Sequence, residues 1–464
     1  MPRASSIPPG LLDRRRFLGA SGLALAATLA GSGPRAWARS RAKGTDFRVE
    51  KVDRTTVRLP FRETPGRALA REIPHWDHFE IVEVTLGSGH VGFGESMLYY
   101  SWGVTDDEDI ARVQGKNAAS LMWDDSLGSG LQQALFDAVA RGLDVPLHRL
   151  LGEQSHDTTP VAWWNIDIPP SDWVSECQEA YAQGYRAMKT KGRPWFDIWA
   201  CADAVRDTIP KDFTIGVDFN DTLLTAEQGL PILKELEQTP QIGFFETPIP
   251  QSDVAGNVRI RNEIETPIAL HYGTPRPAVV IKEGVCDGFV VGGGASRLVD
   301  TNAVAATADM PFWLQLVGSD ITAAWSLHCG AVLSHATWPA VNCHQLFASR
   351  LLTAPILLTE GYAPIPTGPG LGFELDRDAL DRYRIEKPAE RPDPPRLIET
   401  TWPDGRRLYT ANTGRVNFML NAANKGQIPY FERGVDSRLV PDDGSDAWRR
   451  RYQRARSEGP FLER

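Results

Sequence analysis

Four stretches decide the fold: YRAMKTK at residues 185–191, FTIGVDF at 213–219, IGFFET at 242–247 and PIALHYG at 267–273. Each is a short, mostly apolar run with strand character, each ends in polar residues, and helical periodicity follows each one. The pattern continues on both sides. Strands are predicted at 161–166, 185–191, 213–219, 242–247, 267–272, 288–292, 311–316 and 340–346. Helices are predicted between them at 171–183, 195–209, 225–238, 253–264, 275–284, 296–309 and 320–335. Nearly continuous apolar strands alternating with helices mean a parallel sheet covered on its faces. Eight strands close naturally into a barrel, so the fold class is α/β, a modified (β/α)7β barrel. The eighth helix is replaced by a Pro/Gly-rich exit, Pro364 to Gly372.

Upstream, residues 47–59 and 79–86 alternate as strands. Gly87 to His90 offers a turn, and Val91 starts a return strand, giving an antiparallel meander. Residues 62–78 read as a long polar loop with Arg62, Arg67, Arg71, His75, Trp76 and His78. A helix is predicted over 127–141. Downstream, 385–397 reads as a Pro- and charge-rich strap. Residues 398–402 and 407–410 form a hairpin across Pro403-Asp404-Gly405, and Trp448 to Arg464 reads as a basic surface tail. The expected division is 1–38 signal segment, 39–158 α+β capping domain, 159–363 barrel, and 364–464 return to the cap plus a C-terminal extension.

The segment 1–38 carries Arg14, Arg15 and Arg16, an apolar run Leu23 to Ala30, and Ala36-Trp37-Ala38 as a cleavage site. It resembles a twin-arginine export signal, which implies a periplasmic or extracellular protein. The apolar run is too short to span a bilayer, and no later stretch is long enough. The 464 residues carry a formal charge of −9. Removing the signal takes five basic residues and one acid, so the mature chain stands at −13. That balance argues against nucleic acid as a partner. The five cysteines contain no CxxC pair and read as small buried hydrophobes.

Barrel chemistry sits at the C-terminal ends of the strands. There the sequence places Lys189 and Lys191, then Asp218 with Asn220, then Glu246, then His271. The successive intervals from Lys191 to Asp218, from Asp218 to Glu246 and from Glu246 to His271 are 27, 28 and 25 residues, about one strand–helix unit each. The four positions are therefore equivalent on neighbouring strands and converge at the mouth. Lys189 and Lys191 are two apart and share a side of their strand. Paired cations depress each other's pKa, which suits a lysine base. Two converging carboxylates suit a hard cation, most simply Mg²⁺.

These features resemble the enolase superfamily, in particular the mandelate racemase/muconate lactonizing enzyme group. The resemblance rests on the meander, the barrel, and Lys-x-Lys, Asp-x-Asn and Glu-x-Pro on successive strands. Gly292-Gly293 and the run Pro369 to Glu374 followed by Asp376 add to it. It covers about residues 47–384. It implies abstraction of the proton α to a carboxylate, with a Mg²⁺ ion stabilising the enediolate. Lys191 is then the base, Lys189 its tuning and substrate-binding neighbour, Asp218 and Glu246 metal ligands, and Asn220 part of the metal shell. The partner is a small-molecule carboxylate, and family habit implies a homo-oligomer. The 62–78 loop and the segment Glu95 to Trp102 would cover the mouth, their cations meeting the substrate carboxylate.

The chain departs from the family pattern in places. His271 or Tyr272 stands where a third acidic ligand is expected, and an imidazole favours Mn²⁺ or another transition metal over Mg²⁺. Asp287 fits the acid of the opposite-face dyad, but Gln315 replaces its histidine. The eighth-strand acid falls near His344. Three readings follow: a one-base lyase or isomerase acting on a sugar acid or related hydroxy acid, by dehydration or epimerisation; an enzyme with an altered metal or none; or a non-catalytic ligand-binding protein on an inherited barrel.

Overall fold

The structure is a computed structural model that describes residues 46–100 and 102–463. The arginine-led segment 1–38 lies outside the described residues. The capping layer begins with β1 (Val49–Arg58), α1 (Glu63–Glu72), β2 (His78–Leu86) and β3 (Val91–Met97), followed by α2 (Asp107–Val113), α3 (Ser129–Leu143) and α4 (His148–Leu151). The three strands form the expected antiparallel meander in the order β1-β2-β3. α3 lies directly on this sheet. A Cβ on Gly92 or Gly94 would stand 2.1 Å or 2.4 Å from the backbone of α3, so only glycine admits so close a helix.

The barrel follows as β4 (Thr158–Trp164), α5 (Pro170–Ala182), β5 (Ala187–Lys191), α6 (Ile198–Arg206), β6 (Thr214–Asp218), α7 (Ala226–Leu236), β7 (Ile242–Glu246) and α8 (Val254–Glu263). It continues through β8 (Ile268–His271), α9 (Pro277–Glu283), β9 (Gly288–Val291), α10 (Ala295–Thr307), β10 (Phe312–Leu314), α11 (Asp320–Val332) and β11 (Ala340–Val341). The parallel order is β10-β9-β8-β7-β6-β5-β4-β11, and a bridge between Gln315 and Val341 joins the two ends. All eight strands and seven helices stand where the hydrophobic pattern put them. The last strand is shorter than expected, because Cys343 takes a left-handed φ of 65° and turns the chain away.

Residues 62–78 are not a loop. They fold into α1 and a short 3-10 turn, Pro74–Asp77. Pro65, Ala68, Leu69 and Glu72 form the buried face of α1, a helical spacing hidden in the sequence by interleaved arginines. Those arginines are already paired: Arg62 with Glu176 at 2.6 Å, Arg67 with Asp172 at 3.1 Å and Arg71 with Asp167 at 2.8 Å. They are joints between cap and barrel, not free cations over the mouth.

After the barrel come β12 (Tyr362–Pro364), antiparallel to β4, and α12 (Arg377–Tyr383). The strap then pins itself to the cap through Lys387 and Glu80 at 2.8 Å. The extension contains β13 (Leu397–Thr401), β14 (Arg407–Ala411), α13 (Phe418–Ala423), β15 (Asp436–Val440), α14 (Asp446–Glu458) and β16 (Phe461–Glu463). The hairpin β13–β14 is in the expected place. The basic tail is instead a helix and an edge strand in a sheet of order β15-β13-β14-β16. Trp448, Tyr452 and Ala455 recur at helical spacing and face the sheet, while the arginines between them face outward. All five cysteines are buried and free, as expected. No helix among the described residues is long and apolar enough to cross a membrane.

Candidate active site

Parallel register brings the strand ends together. Lys191 is the Cα partner of Asp218, and Asp218 that of Glu246. Their side chains meet at the mouth. Lys191 Nζ pairs with Asp218 Oδ2 and donates to Asn220 Oδ1 at 3.1 Å. Lys189 pairs with Glu246, lies 3.8 Å from Asp218 and donates to Gln315 Oε1 at 2.6 Å. His271 Nε2 stands 3.1 Å from Glu246 Oε1. The Asn220 backbone N–H donates to Asp218 Oδ1 at 2.9 Å. Lys189, Lys191, Asp218, Asn220, Glu246 and His271 are thus one cluster.

Two expected members lie elsewhere. Asp287 precedes β9, at the rim opposite the mouth, where it pairs with Arg261 at 2.7 Å and accepts the Ile268 N–H at 2.8 Å. In a parallel barrel a residue before a strand cannot reach the end where that strand finishes. His344 follows the turn at Cys343 and meets the Tyr185 hydroxyl at 3.0 Å, in a groove between the barrel and α12. The shortened β11 carries it past the mouth.

One member was missed. Arg193 is buried, donates to the carbonyls of Asp218 and Phe219 at 3.0 and 2.9 Å, and reaches Asn220 Oδ1 at 2.5 Å. Its signal was available, since it continues the alternation of Lys189 and Lys191. The cluster therefore holds the cations Lys189, Lys191 and Arg193 against the anions Asp218 and Glu246, an excess of positive charge before His271 is considered.

Burial lowers the Lys191 pKa. Asp218 opposes that shift, and the positive charges of Lys189 and Arg193 add to it. Burial alone would raise the Asp218 carboxyl, but Lys191, Lys189 and Arg193 outweigh it and hold it below the usual carboxylate range. The result is an amine more readily neutral than an exposed lysine, beside a carboxylate that stays ionised.

A divalent metal fits this donor set poorly. Asp218 and Glu246 are both buried and both paired with ammonium groups. The third donor is an imidazole rather than a carboxylate. Among the described residues no three His, Cys, Asp or Glu side chains are arranged to hold a metal ion. A hard cation such as Mg²⁺ is held by charged oxygens, and here their charge is already balanced.

Above the cluster, Tyr100 packs at a tilt against Trp76 with centroids 4.5 Å apart, and its hydroxyl accepts from Gln315 Nε2 at 3.3 Å. Trp76 in turn stacks on Trp164 at 5.3 Å. A cavity of about 300 Å³ opens beside this lid, over the ends of β8, β9 and β10.

Residues 172–379 match the enolase C-terminal domain-like family. The chain has the enolase-superfamily fold. It is 25% identical over 265 residues to an N-succinylamino acid racemase of Thermus thermophilus, covering 55% of this chain and 70% of the relative. It is 22% identical over 343 residues to an arabinonate dehydratase of Saccharolobus solfataricus, covering 66% and 90%. Among solved enolase-superfamily structures, that of an enolase from Thermobispora bispora complexed with magnesium and formate superposes with a TM-score of 0.60 at 20% identity, covering 73% of this chain and 92% of that one. Such relatives are dehydratases, racemases and cycloisomerases acting on acids.

Proposed function

We propose that the protein removes the proton α to the carboxylate of a small organic acid, with Lys191 as the base. The observation that carries this reading is the largely buried Lys191 amine, held between Asp218 and Asn220 with its pKa lowered by burial and by neighbouring cations, at the strand ends where barrel chemistry occurs. The substrate carboxylate is drawn to the cationic excess. Lys191 Nζ accepts the proton as the C–H bond breaks, and negative charge develops on the carboxylate oxygens. Lys189 and Arg193 supply positive charge in a water-poor site, where such charge is most effective.

The carbanion then has two fates. A β-hydroxyl can leave, taking the proton back from Lys191 as water, which is dehydration of a hydroxy acid. Alternatively a proton is delivered to the opposite face of the carbon, which is epimerisation and needs a proton donor on that face. Gln315 supports the first fate. It stands where the family's opposite-face base would serve, and an amide does not accept that proton. A superfamily metal ion has no step in this scheme, because the donor set does not suit it. The segment 1–38 supports export of the folded protein to the periplasm or beyond.

The test is solvent-deuterium incorporation at the α-carbon across a panel of sugar acids and simpler hydroxy acids, followed by NMR. Exchange is expected in the wild type and should vanish in Lys191→Ala with folding unchanged. Undiminished exchange in that variant removes Lys191 from the role.

A further inference from the structure

Arg297 sits in the first turn of α10, and its side chain lines the cavity beside Tyr100, Trp102, His271, Tyr272 and Gln315. It is the one arginine or lysine in that lining, and no carboxylate lines the cavity among the described residues. Arginines at the cap–barrel joint are paired with acids, as Arg62, Arg71 and Arg141 are. Arg297 has no ion pair among the described residues. Its side chain makes one long hydrogen bond, to the Tyr272 carbonyl at 3.5 Å.

The backbone makes room for this side chain. Gly293 has a φ of 124°, and a Cβ there would stand 2.8 Å from Arg297 Cδ. At Gly273, φ 114°, an added Cβ would stand 3.8 Å from Arg297 Nη2. A side chain at 293 would displace the arginine, and positive φ makes both positions glycine sites. The nearby Asp125 does not neutralise the guanidinium. Its oxygens accept from Gln132 Nε2 and from the backbone N–H groups of Ser296 and Arg297.

The cavity borders the lysine cluster through Gln315 and His271. The same Gln315 amide accepts from Lys189. The rest of the wall mixes aromatic and apolar residues such as Trp102, Tyr272 and Val290 with polar ones such as Ser129, Gln133 and Thr322. A neutral polyol would find a guanidinium without an anion at one end of such a cavity. An acid whose reacting carboxylate meets the lysine cluster could place a second carboxylate on Arg297, and a guanidinium holds a carboxylate through two parallel hydrogen bonds.

Resting on the proton-abstraction reading for the lysine end, we propose that the substrate is a dicarboxylic acid whose non-reacting carboxylate is bound by Arg297. Arg297 is then the residue that sets specificity for dianionic over monoanionic acids.

The experiment is calorimetric titration of the full chain with glutarate and adipate, each against its monocarboxylate counterpart, valerate and hexanoate. The wild type is expected to bind the diacids at least tenfold more tightly. Arg297→Met should abolish that preference, and Arg297→Lys should retain part of it, with circular dichroism confirming that all forms are folded. Equal binding of diacid and monoacid, a diacid preference untouched in Arg297→Met, or no diacid binding at millimolar concentration each overturns the proposal. Lys191→Ala separates the two readings. Arg297-dependent diacid preference with α-exchange that ignores Lys191 sinks the proton-abstraction role and keeps the anchor. Lys191-dependent exchange without any diacid preference does the reverse.

Discussion

The mouth of the barrel and the C-terminal extension face each other across the loops that follow β5 and β6, and they treat charge in opposite ways. At the mouth, Lys189, Asp218 and Glu246 are almost completely buried and hold one another's charges. In the extension the interior is aromatic and aliphatic, with Trp402, Leu408, Phe418 and Met419 in one cluster. Its ion pairs, such as Arg406–Glu432 and Arg451–Glu463, remain partly exposed. Buried ion pairs are costly to assemble and contribute little net stability, whereas apolar burial stabilises directly. The two regions divide the labour. The extension supplies packing that the charged mouth does not supply for itself.

The contacts bear this out. Trp195 and Phe196, from the loop after Lys191, are buried in the extension's apolar cluster. The Gly434 N–H donates to Asp197 at 2.6 Å, and Phe431 packs on Phe219 with centroids 6.0 Å apart. Asn424 Nδ2 donates at 3.2 Å to the carbonyl of Asn220, the residue whose side chain receives Lys191 and Arg193.

If the two regions divide chemistry from support, Lys191→Ala should show the largest effect. The α-proton exchange rate should fall by about 10²–10⁴-fold, the range for losing a general base, with little change in urea midpoint. A large stability loss with proportionate activity would place Lys191 among the supports. The converse comes from Trp402→Ala, which empties a buried site in the extension. It should cost roughly 3–5 kcal/mol of unfolding free energy, and the barrel should unfold in the same transition. Two separate transitions would show that the extension does not hold the mouth.

A third change sharpens the account of charge at the mouth. His271→Asp adds a carboxylate next to Glu246 and offsets the cationic excess. Mg²⁺ affinity, weak in the wild type, should rise by about tenfold or more, as expected when a hard ion gains a charged oxygen ligand. Calorimetry on both forms measures it. Tight Mg²⁺ binding by the wild type would mean that the lysines give way to the ion. The smallest effect belongs to Asn424→Ala. Losing one hydrogen bond should cost about 1 kcal/mol and lower the exchange rate a few-fold at unchanged substrate binding, because it loosens Asn220 without touching the ligand. A purely structural role would lower stability and leave the rate per folded molecule constant.

The barrel was legible because its signals are local. Apolar strands, helical spacing and strand-end polar residues at regular intervals are all written within one strand–helix unit, and parallel register converts those intervals into neighbours. That logic placed Lys189, Lys191, Asp218, Asn220, Glu246 and His271 together. It failed for Asp287 and His344, where the deciding fact is which end of a strand a residue occupies. Asp287 lies just before β9, and a left-handed turn at Cys343 moved His344 out of reach.

The sequence by itself determined the order of elements, the barrel and the identity of the groups at its mouth, because periodicity is a property of neighbouring residues. Only the tertiary structure decided which charges pair. Arg62, Arg67 and Arg71 read as free cations until the barrel supplied Glu176, Asp172 and Asp167. Arg297 carries no signal of its own in the sequence, and only the fold sets its side chain beside Gly293 and Tyr272 at the rim of the cavity. Trp448 and Tyr452 read as part of a tail until β13 and β14 offered a face to cover. In each case the partner is far away in the chain. A charge or an apolar face has no fixed meaning until the fold shows whether another group has already satisfied it.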